Sequence, residues 1–383
     1  MPNKTHVAAR TAAAADAAPA VPLTPGQRLP AASYDVALLD LDGVVYSGSH
    51  AIDGAVDALA AARDAGLRLA FVTNNASRSA SAIAEHLTRL GIPVTAADVV
   101  TSAQAAATLI ASRFPPGSPV LVAGSNALRL AVRKRGLRPV SLAADHPVAV
   151  VQGYAPDMNY GLLAEAGVAV RDGAFYVATN SDSTLPTPRG LQPGNGSLLQ
   201  VIITATGTLP VVAGKPETPL HAEAVARTGA RHPLVIGDRL DTDIEGAVRG
   251  GADSMLVMTG VTSARDAALA APGRRPTYIA ADLGGLLEPQ PAIGPHGSDG
   301  QAGDGEAAGR GPVSPASSDG AAPRAFRCRG WQARRPCGAA PLELTGQGAW
   351  IDGLRVLCAA AWAAEHVTDE LVAPALATLG DCR

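Results

Sequence analysis

Between Tyr34 and Leu287 the chain alternates two kinds of segment. Short apolar runs, "DVALLDLD", "LRLAFVTN", "PVLVAG", "PVAVVQGY", "AFYVATN", "LPVVAG", "PLVIGD" and "SMLVMTG", read as strands. Ala-rich stretches with helical spacing separate them: "GAVDALAAARDAG", "ASAIAEHLTRLG", "AQAAATLIASRF", "SNALRLAVRKRG", "TPLHAEAVARTGA" and "DIEGAVRGG". Such alternation predicts a parallel sheet with helices on both faces. In sheets of this kind ligands bind beyond the carboxyl ends of the strands. The chemistry should therefore lie in the residues that follow each apolar run.

The bulk properties narrow the picture. A chain of 383 residues is long enough for two domains, or for one with a large insert. A formal charge of -3 gives no basic face for nucleic acid or a membrane surface. The longest apolar run, "SLLQVIITATGTLPVVAG", is broken by Thr, Gly and Pro and reads as a helix followed by a strand, not a membrane span. Residues 1–33 read as a disordered Ala/Pro-rich leader without the pattern of a secretory signal, and residues 289–323 as a flexible linker. The remainder, 324–383, reads as a short accessory segment with one helix, "IDGLRVLCAAAWAAEHV". A chain cut at about Pro289 is then expected to fold. Cys328, Cys337, Cys358 and Cys382 all lie in that segment, without zinc-site spacing, as expected for a reduced, cytoplasmic protein.

Four signals fall at strand ends. In "DLDG", Asp40 and Asp42 can point into one site while Leu41 points away. Alone, the pair could equally cap a helix or form a turn; a calcium loop is excluded because no oxygen ligands follow at the required spacing. Thr73–Asn74–Asn75 offers a hydroxyl and backbone amides ahead of a helix, a phosphate cradle or simply a helix cap. Lys215, in "GKPE", is either a solvated surface lysine or a fixed positive charge at the same edge. Finally "GDRLDTDIEGA" brings Asp238, Asp241 and Asp243; Asp241 could serve only as a cap, whereas Asp238 directly follows its strand and can face Asp40. Like charges ~4 Å apart repel by roughly 4 kcal/mol at an intermediate dielectric, so such a cluster calls for a divalent cation. Mg²⁺ takes oxygen ligands and shares its shell with water and phosphate.

The ordered set "DLDG", "VTNN", "GKPE" and "GDRLDTDI" resembles the haloacid dehalogenase-like hydrolases, in the subclass of NagD-like and p-nitrophenyl phosphatase-like enzymes. "LDLDGVVYSG", "RGLQPGNGSL" and "GKPETPL" look closest to an actinobacterial branch associated with glycerol 3-phosphate phosphatase activity. The resemblance implies an α/β fold, a Rossmann-like doubly wound parallel sheet core with an inserted α/β cap domain. It implies Asp40 as nucleophile and Asp42 as general acid and base. Thr73, Asn74 and Lys215 would hold phosphate, and Asp40, the Asp42 carbonyl and Asp238 would ligate Mg²⁺ with Asp243 in support. The long stretch between Thr73 and Lys215 leaves room for the cap, placed at 93–188, with the core at 34–92 and 189–288. The segment Thr179 to Gly190 is expected to return the chain to the core. Asn180, Asp182 or Arg189 there would set specificity, unless the segment is only a hinge. The expected substrate is a small phosphorylated metabolite, glycerol 3-phosphate first, with phosphoglycolate, pyridoxal phosphate or a nucleotide monophosphate as alternatives. No nucleic acid or membrane partner is expected, and a homodimer could form through the cap. A non-catalytic scaffold is the competing class; the intact Asp40, Asp42, Thr73, Lys215 and Asp238 argue against it. In the tail, "RPCGAA" from Arg335 to Ala340 fits a loose acyl-CoA-binder pattern, R-x-x-G-x-A, but the segment is too short for a whole acetyltransferase.

Overall fold

The computed structural model describes residues 28–187, 189–291, 293–295, 325–335, 340–364 and 366–380. The first strand, Val36–Leu39, is buried at every position, which suits the centre of a sheet covered on both faces. Around it six strands run in the order Tyr278–Ala280, Asp253–Val257, Pro233–Gly237, Val36–Leu39, Arg68–Thr73, Val99–Thr101. Every neighbouring pair is parallel. Numbered along the chain and read from the Val99 edge, this is the order 3-2-1-4-5-6, the doubly wound arrangement. The order reverses between Val36–Leu39 and Pro233–Gly237, where Leu39 lies opposite Ile236. Asp40 and Asp238 leave the sheet on the two sides of that switch point.

A second parallel sheet holds Val211–Val212, Phe175–Ala178, Ala149–Gln152, Pro119–Ala123 and Arg138–Val140. It redraws the expected cap boundaries. Val99–Thr101 falls within 93–188 yet pairs with Phe71–Thr73 in the first sheet. Its three residues are too few for periodicity to mark. They end at Thr101, whose hydroxyl caps the helix Ser102–Ala111 while the Gln104 side chain bonds back to the Thr101 amide at 2.9 Å. At the other end, Val211–Val212 pairs with Val177 and Ala178 in the second sheet. Thr179–Gly190 therefore does not carry the chain back to the core. It leads into the antiparallel hairpin Thr184–Thr187 and Gly190–Pro193, then the helix Asn195–Thr206, and the crossing comes at Ala213–Gly214. The helix Tyr160–Arg171 was missed: Asn159 caps it by accepting from the Leu162 amide at 3.0 Å.

The two sheets share one apolar cluster, with Leu38 and Val72 on one side and Val122, Val151 and Val177 on the other. Polar ties add to it. Ser125 Oγ donates to the Ala76 carbonyl at 2.9 Å. The buried Glu223 carboxylate takes Arg135, Arg227 and the Thr108 hydroxyl at 2.7, 2.7 and 2.8 Å.

The tail departs most from expectation. Gly294–Pro295, Ala325–Cys328, Trp331–Arg334 and Glu343–Gly346 form an antiparallel sheet backed by the helices Trp350–Trp362 and Asp369–Gly380. Gln290, assigned to the linker, is buried and donates to the Gly285 carbonyl at 3.1 Å. Trp331, Leu354 and Trp362 pack in one cluster with Ile244, Leu256 and Ile279 of the first sheet's layer. The tail is a folded unit on the core because its apolar helix finds an apolar partner there. Cys328 and Cys358 are buried free thiols. Cys337, Cys382 and most of "RPCGAA" lie outside the described residues, as do residues 1–27 of the leader and 296–323 of the linker. Pro30–Ser33, also assigned to the leader, form a helical turn with Ala31 buried.

Candidate active site

Strand geometry delivers the first carboxylate. The Asp40 amide continues the ladder by donating to the Ile236 carbonyl at 2.8 Å, so its side chain leaves the sheet at a fixed place. Gly43 follows with φ +80°, a conformation side-chain-bearing residues rarely adopt, and a Cβ there would stand 2.5 Å from Asp238 Oδ2. That glycine turns the chain into the flap Tyr46–Ser47 and His50–Ala51 and lets Asp238 approach.

Asp40, Asp238 and Asp243 converge: one oxygen from each lies within 4.8 Å of the others. Lys215 Nζ bonds Asp40 Oδ1, Asp243 Oδ1 at 2.6 Å and the Val72 carbonyl at 3.2 Å. Burial alone would lower the lysine's pKa, but Asp243 and Asp40 outweigh it and hold the ammonium charged. Burial pushes the Asp40 carboxyl up; Lys215 pulls it down, and Asp243 and Asp238 push it up again. Asp238 is pushed up to about 6 by burial and by Asp243. Its Oδ2 accepts from the Val261 amide at 2.7 Å, while its Oδ1 is buried without a hydrogen-bond partner. A buried carboxylate oxygen without a donor, beside two more carboxylates, is a donor set that fits a hard divalent cation.

Asp42 stands apart from this cluster. It is exposed at the flap's base, paired through a bridge with Tyr46. Surrounding protein desolvates its carboxyl and raises it, with Arg78 and Lys215 opposing. That suits a group that must hold a proton and release it.

Thr73 is buried at the end of its strand, its hydroxyl accepting from the Asn75 amide at 3.1 Å. The Asn74 carboxamide is taken up elsewhere: its Oδ1 accepts from the Lys215 amide at 2.8 Å and its Nδ2 donates to the Lys215 carbonyl at 3.1 Å and to Asp182 at 3.3 Å. Asn180 is buried and spends its side chain on the Asn74 carbonyl and the Asp182 amide, at 2.8 and 3.2 Å. Both asparagines thus brace the loop. Asp182 is raised by burial, with Arg239 opposing. Arg189 is exposed on the hairpin turn. Asp241 does not cap: it takes the Arg239 guanidinium at 3.1 and 2.9 Å. Sequence reasoning passed over Arg78 and Arg239, two cations flanking the site. The available signal was position, Arg78 just after the second motif and Arg239 within the fourth.

Family models agree with this geometry. A haloacid dehalogenase-like hydrolase model matches residues 37–138, and a HAD-hydrolase-like model matches 212–286. The chain belongs to the haloacid dehalogenase-like hydrolases. It is 54% identical over 256 residues to the D-glycerol 3-phosphate phosphatase of Mycobacterium tuberculosis, covering 67% of this chain and 72% of that one. It is 38% identical over 232 residues to the 5'-nucleotidase YutF of Bacillus subtilis, covering 60% and 89%. A crystal structure of glycerol phosphate phosphatase from M. tuberculosis in complex with magnesium superposes with a TM-score of 0.77 at 42% identity, covering 92% of this chain and 99% of the other.

Proposed function

We propose that the chain is a Mg²⁺-dependent phosphomonoesterase acting on a small organic phosphate, glycerol 3-phosphate in preference, through an aspartyl-phosphate. The observation that carries this reading is the convergence of Asp40, Asp238 and Asp243 with Lys215 at the sheet's switch point. Asp40 attacks phosphorus, and the bond to the leaving alkoxide breaks as Asp42 gives that oxygen its proton. Asp42 then takes a proton from water, which attacks the acyl phosphate and frees Asp40. Lys215 and Thr73 hold the phosphoryl oxygens; Asn74 acts by holding Lys215 in place. Asp40, the Asp42 carbonyl and Asp238 would hold Mg²⁺, supported by Asp243, and the ion supplies charge neutralisation for the phosphoryl group. The substrate preference is supported by the 54% identity to a D-glycerol 3-phosphate phosphatase. The similarity to a 5'-nucleotidase favours a nucleotide monophosphate as the second reading.

The partition into core, cap and tail, the use of Asp182, Arg189 or Asn180 in specificity, a homodimer through the cap and a cytoplasmic location belong to the same proposal. Among the described residues no helix is long and apolar enough to cross a membrane. The test is turnover of a panel of phosphomonoesters by the purified chain, with Mg²⁺ and after chelation. Glycerol 3-phosphate should show the highest kcat/KM, and chelated protein should be inactive until Mg²⁺ returns. Full activity of metal-free protein would sink the mechanism.

A further inference from the structure

The acidic turn after Pro233–Gly237 has a support that catalysis does not use. Leu240 and Ile244, which bracket Asp241 and Asp243, belong to the same apolar cluster as Trp331, Leu354 and Trp362 of the C-terminal unit. Hydrogen bonds repeat the connection at the sheet's edge strand, Tyr278–Ala280, and at a short helix. Trp362 Nε1 donates to the Ala267 carbonyl at 3.1 Å, and Arg355 Nε donates to the Ile279 carbonyl at 2.7 Å. In return Arg275 donates to the Trp362 carbonyl at 3.1 Å. Ala267 lies in the short helix Ala264–Ala268, directly after the loop in which the Val261 amide holds Asp238 Oδ2 and the Thr262 amide holds the Asp238 carbonyl at 3.2 Å. The unit therefore grips the chain just beyond Asp243 and just beyond the groups that fix Asp238. Its own grip is rigid: Arg355 and Asp352 are both buried, paired at 2.7 Å, with Gln290 accepting from the same guanidinium at 3.2 Å.

We infer that the C-terminal unit is a positioning element of the hydrolase, holding Asp238 and Asp243 at the separation a divalent cation requires. This rests on the metal reading given above. Mg²⁺ demands near-ideal octahedral geometry, so small displacements of its carboxylates are felt as lost affinity. Groups that orient metal ligands from behind typically account for about 10- to 100-fold in affinity. An accessory unit that only added stability would not be felt there.

The experiment is Mg²⁺ binding to the full chain by titration calorimetry, with melting recorded for each protein. Trp362→Leu and Leu354→Ala remove packing from the unit. Trp362→Phe removes the bond to Ala267 while keeping most of the ring, so the test survives if a harsher variant fails to fold. Ile202→Ala, in an apolar cluster confined to the second sheet, is the matched control. The tail variants should bind Mg²⁺ roughly 10-fold more weakly. The control should stay within about 2-fold, as expected for a distant site. Wild-type affinity in folded tail variants, or an equal loss in the control, would overturn the inference. A wild-type chain that binds no Mg²⁺ would instead sink the metal reading itself.

Discussion

Asn74 and Lys215 clasp each other through both ends of one carboxamide: the lysine amide donates to Asn74 Oδ1 at 2.8 Å, and Asn74 Nδ2 donates to the lysine carbonyl at 3.1 Å. The backbone of Lys215, which follows the Val211–Val212 strand of the second sheet, is thus fixed from the loop after Arg68–Thr73 of the first. Asn74→Ala should leave the protein folded but let Lys215 drift from the phosphoryl site. The expected loss is roughly 10²-fold in kcat/KM, the scale of a misplaced catalytic group. Asn74→Asp, which keeps Oδ1 and loses the Nδ2 donor, should fall between Ala and wild type. Wild-type kinetics in Asn74→Ala would show that the clasp does not matter.

The two aspartates of the first motif should separate by leaving group. Asp40→Asn keeps the shape but removes the nucleophile, so no phosphoenzyme should form on any substrate. Asp42→Asn removes only proton transfer, an effect of roughly 10²–10⁴-fold. That loss should be large for glycerol 3-phosphate and small for p-nitrophenyl phosphate, whose phenolate departs without a proton. Equal losses on both would contradict the acid role of Asp42.

Proton and metal should compete at Asp238. Its carboxyl is raised to about 6 by burial and by Asp243. A raised acid stabilises the metal-free fold in its protonated form. That contribution is complete below the ordinary carboxylate range near 4 and is lost as pH climbs through about 6. Mg²⁺ needs the anion. The rise in melting temperature on adding saturating Mg²⁺ should therefore be larger at pH 7.5 than at pH 5. An increment independent of pH across this window would remove Asp238 from the ligand set.

Glu223 is a buried carboxylate between helices of the two sheets, and Arg135 reaches it from the second. Glu223→Ala should cost about 2 kcal/mol, below the usual range for a broken buried pair because the Arg135 side chain is 40% exposed. Urea melts of both proteins measure this, and a change under ~0.5 kcal/mol would mark the cluster as a surface pair.

A chain cut at Pro289 should fare worse than the sequence suggests. Without the tail, Leu256, Ala267, Ala268 and Ile279 lose the apolar partners that cover them. The truncated chain should aggregate or melt well below the full one. A soluble, fully active fragment with unchanged melting would contradict this.

Those outcomes also bear on what could be read from the chain alone. Asp40, Lys215 and Asp238 were legible because each ends an apolar run, and a parallel sheet brings such ends to one edge. Val99–Thr101 was not, since three residues carry no period. The true end of the second sheet was hidden because Val211–Val212 looks the same whichever sheet it joins. The tail helix could be seen as apolar, but nothing local in "IDGLRVLCAAAW" names Ile244 or Ala267 as its partner. The clasp made by the Asn74 side chain was not legible, as a carboxamide next to a phosphate loop does not reveal that a distant backbone will occupy it.

The strand order has a consequence for a chain still being made. Asp40 emerges early, yet its neighbours Lys215, Asp238 and Asp243 follow only after the whole second sheet has been synthesised. Until then Asp40 has neither its cation nor its fellow carboxylates, and Val36–Leu39 lacks the strand on one flank. A ribosome-bound intermediate can thus fold the inserted sheet without ever exposing a working phosphatase. Hydrolysis can begin only once translation has passed the last acidic motif.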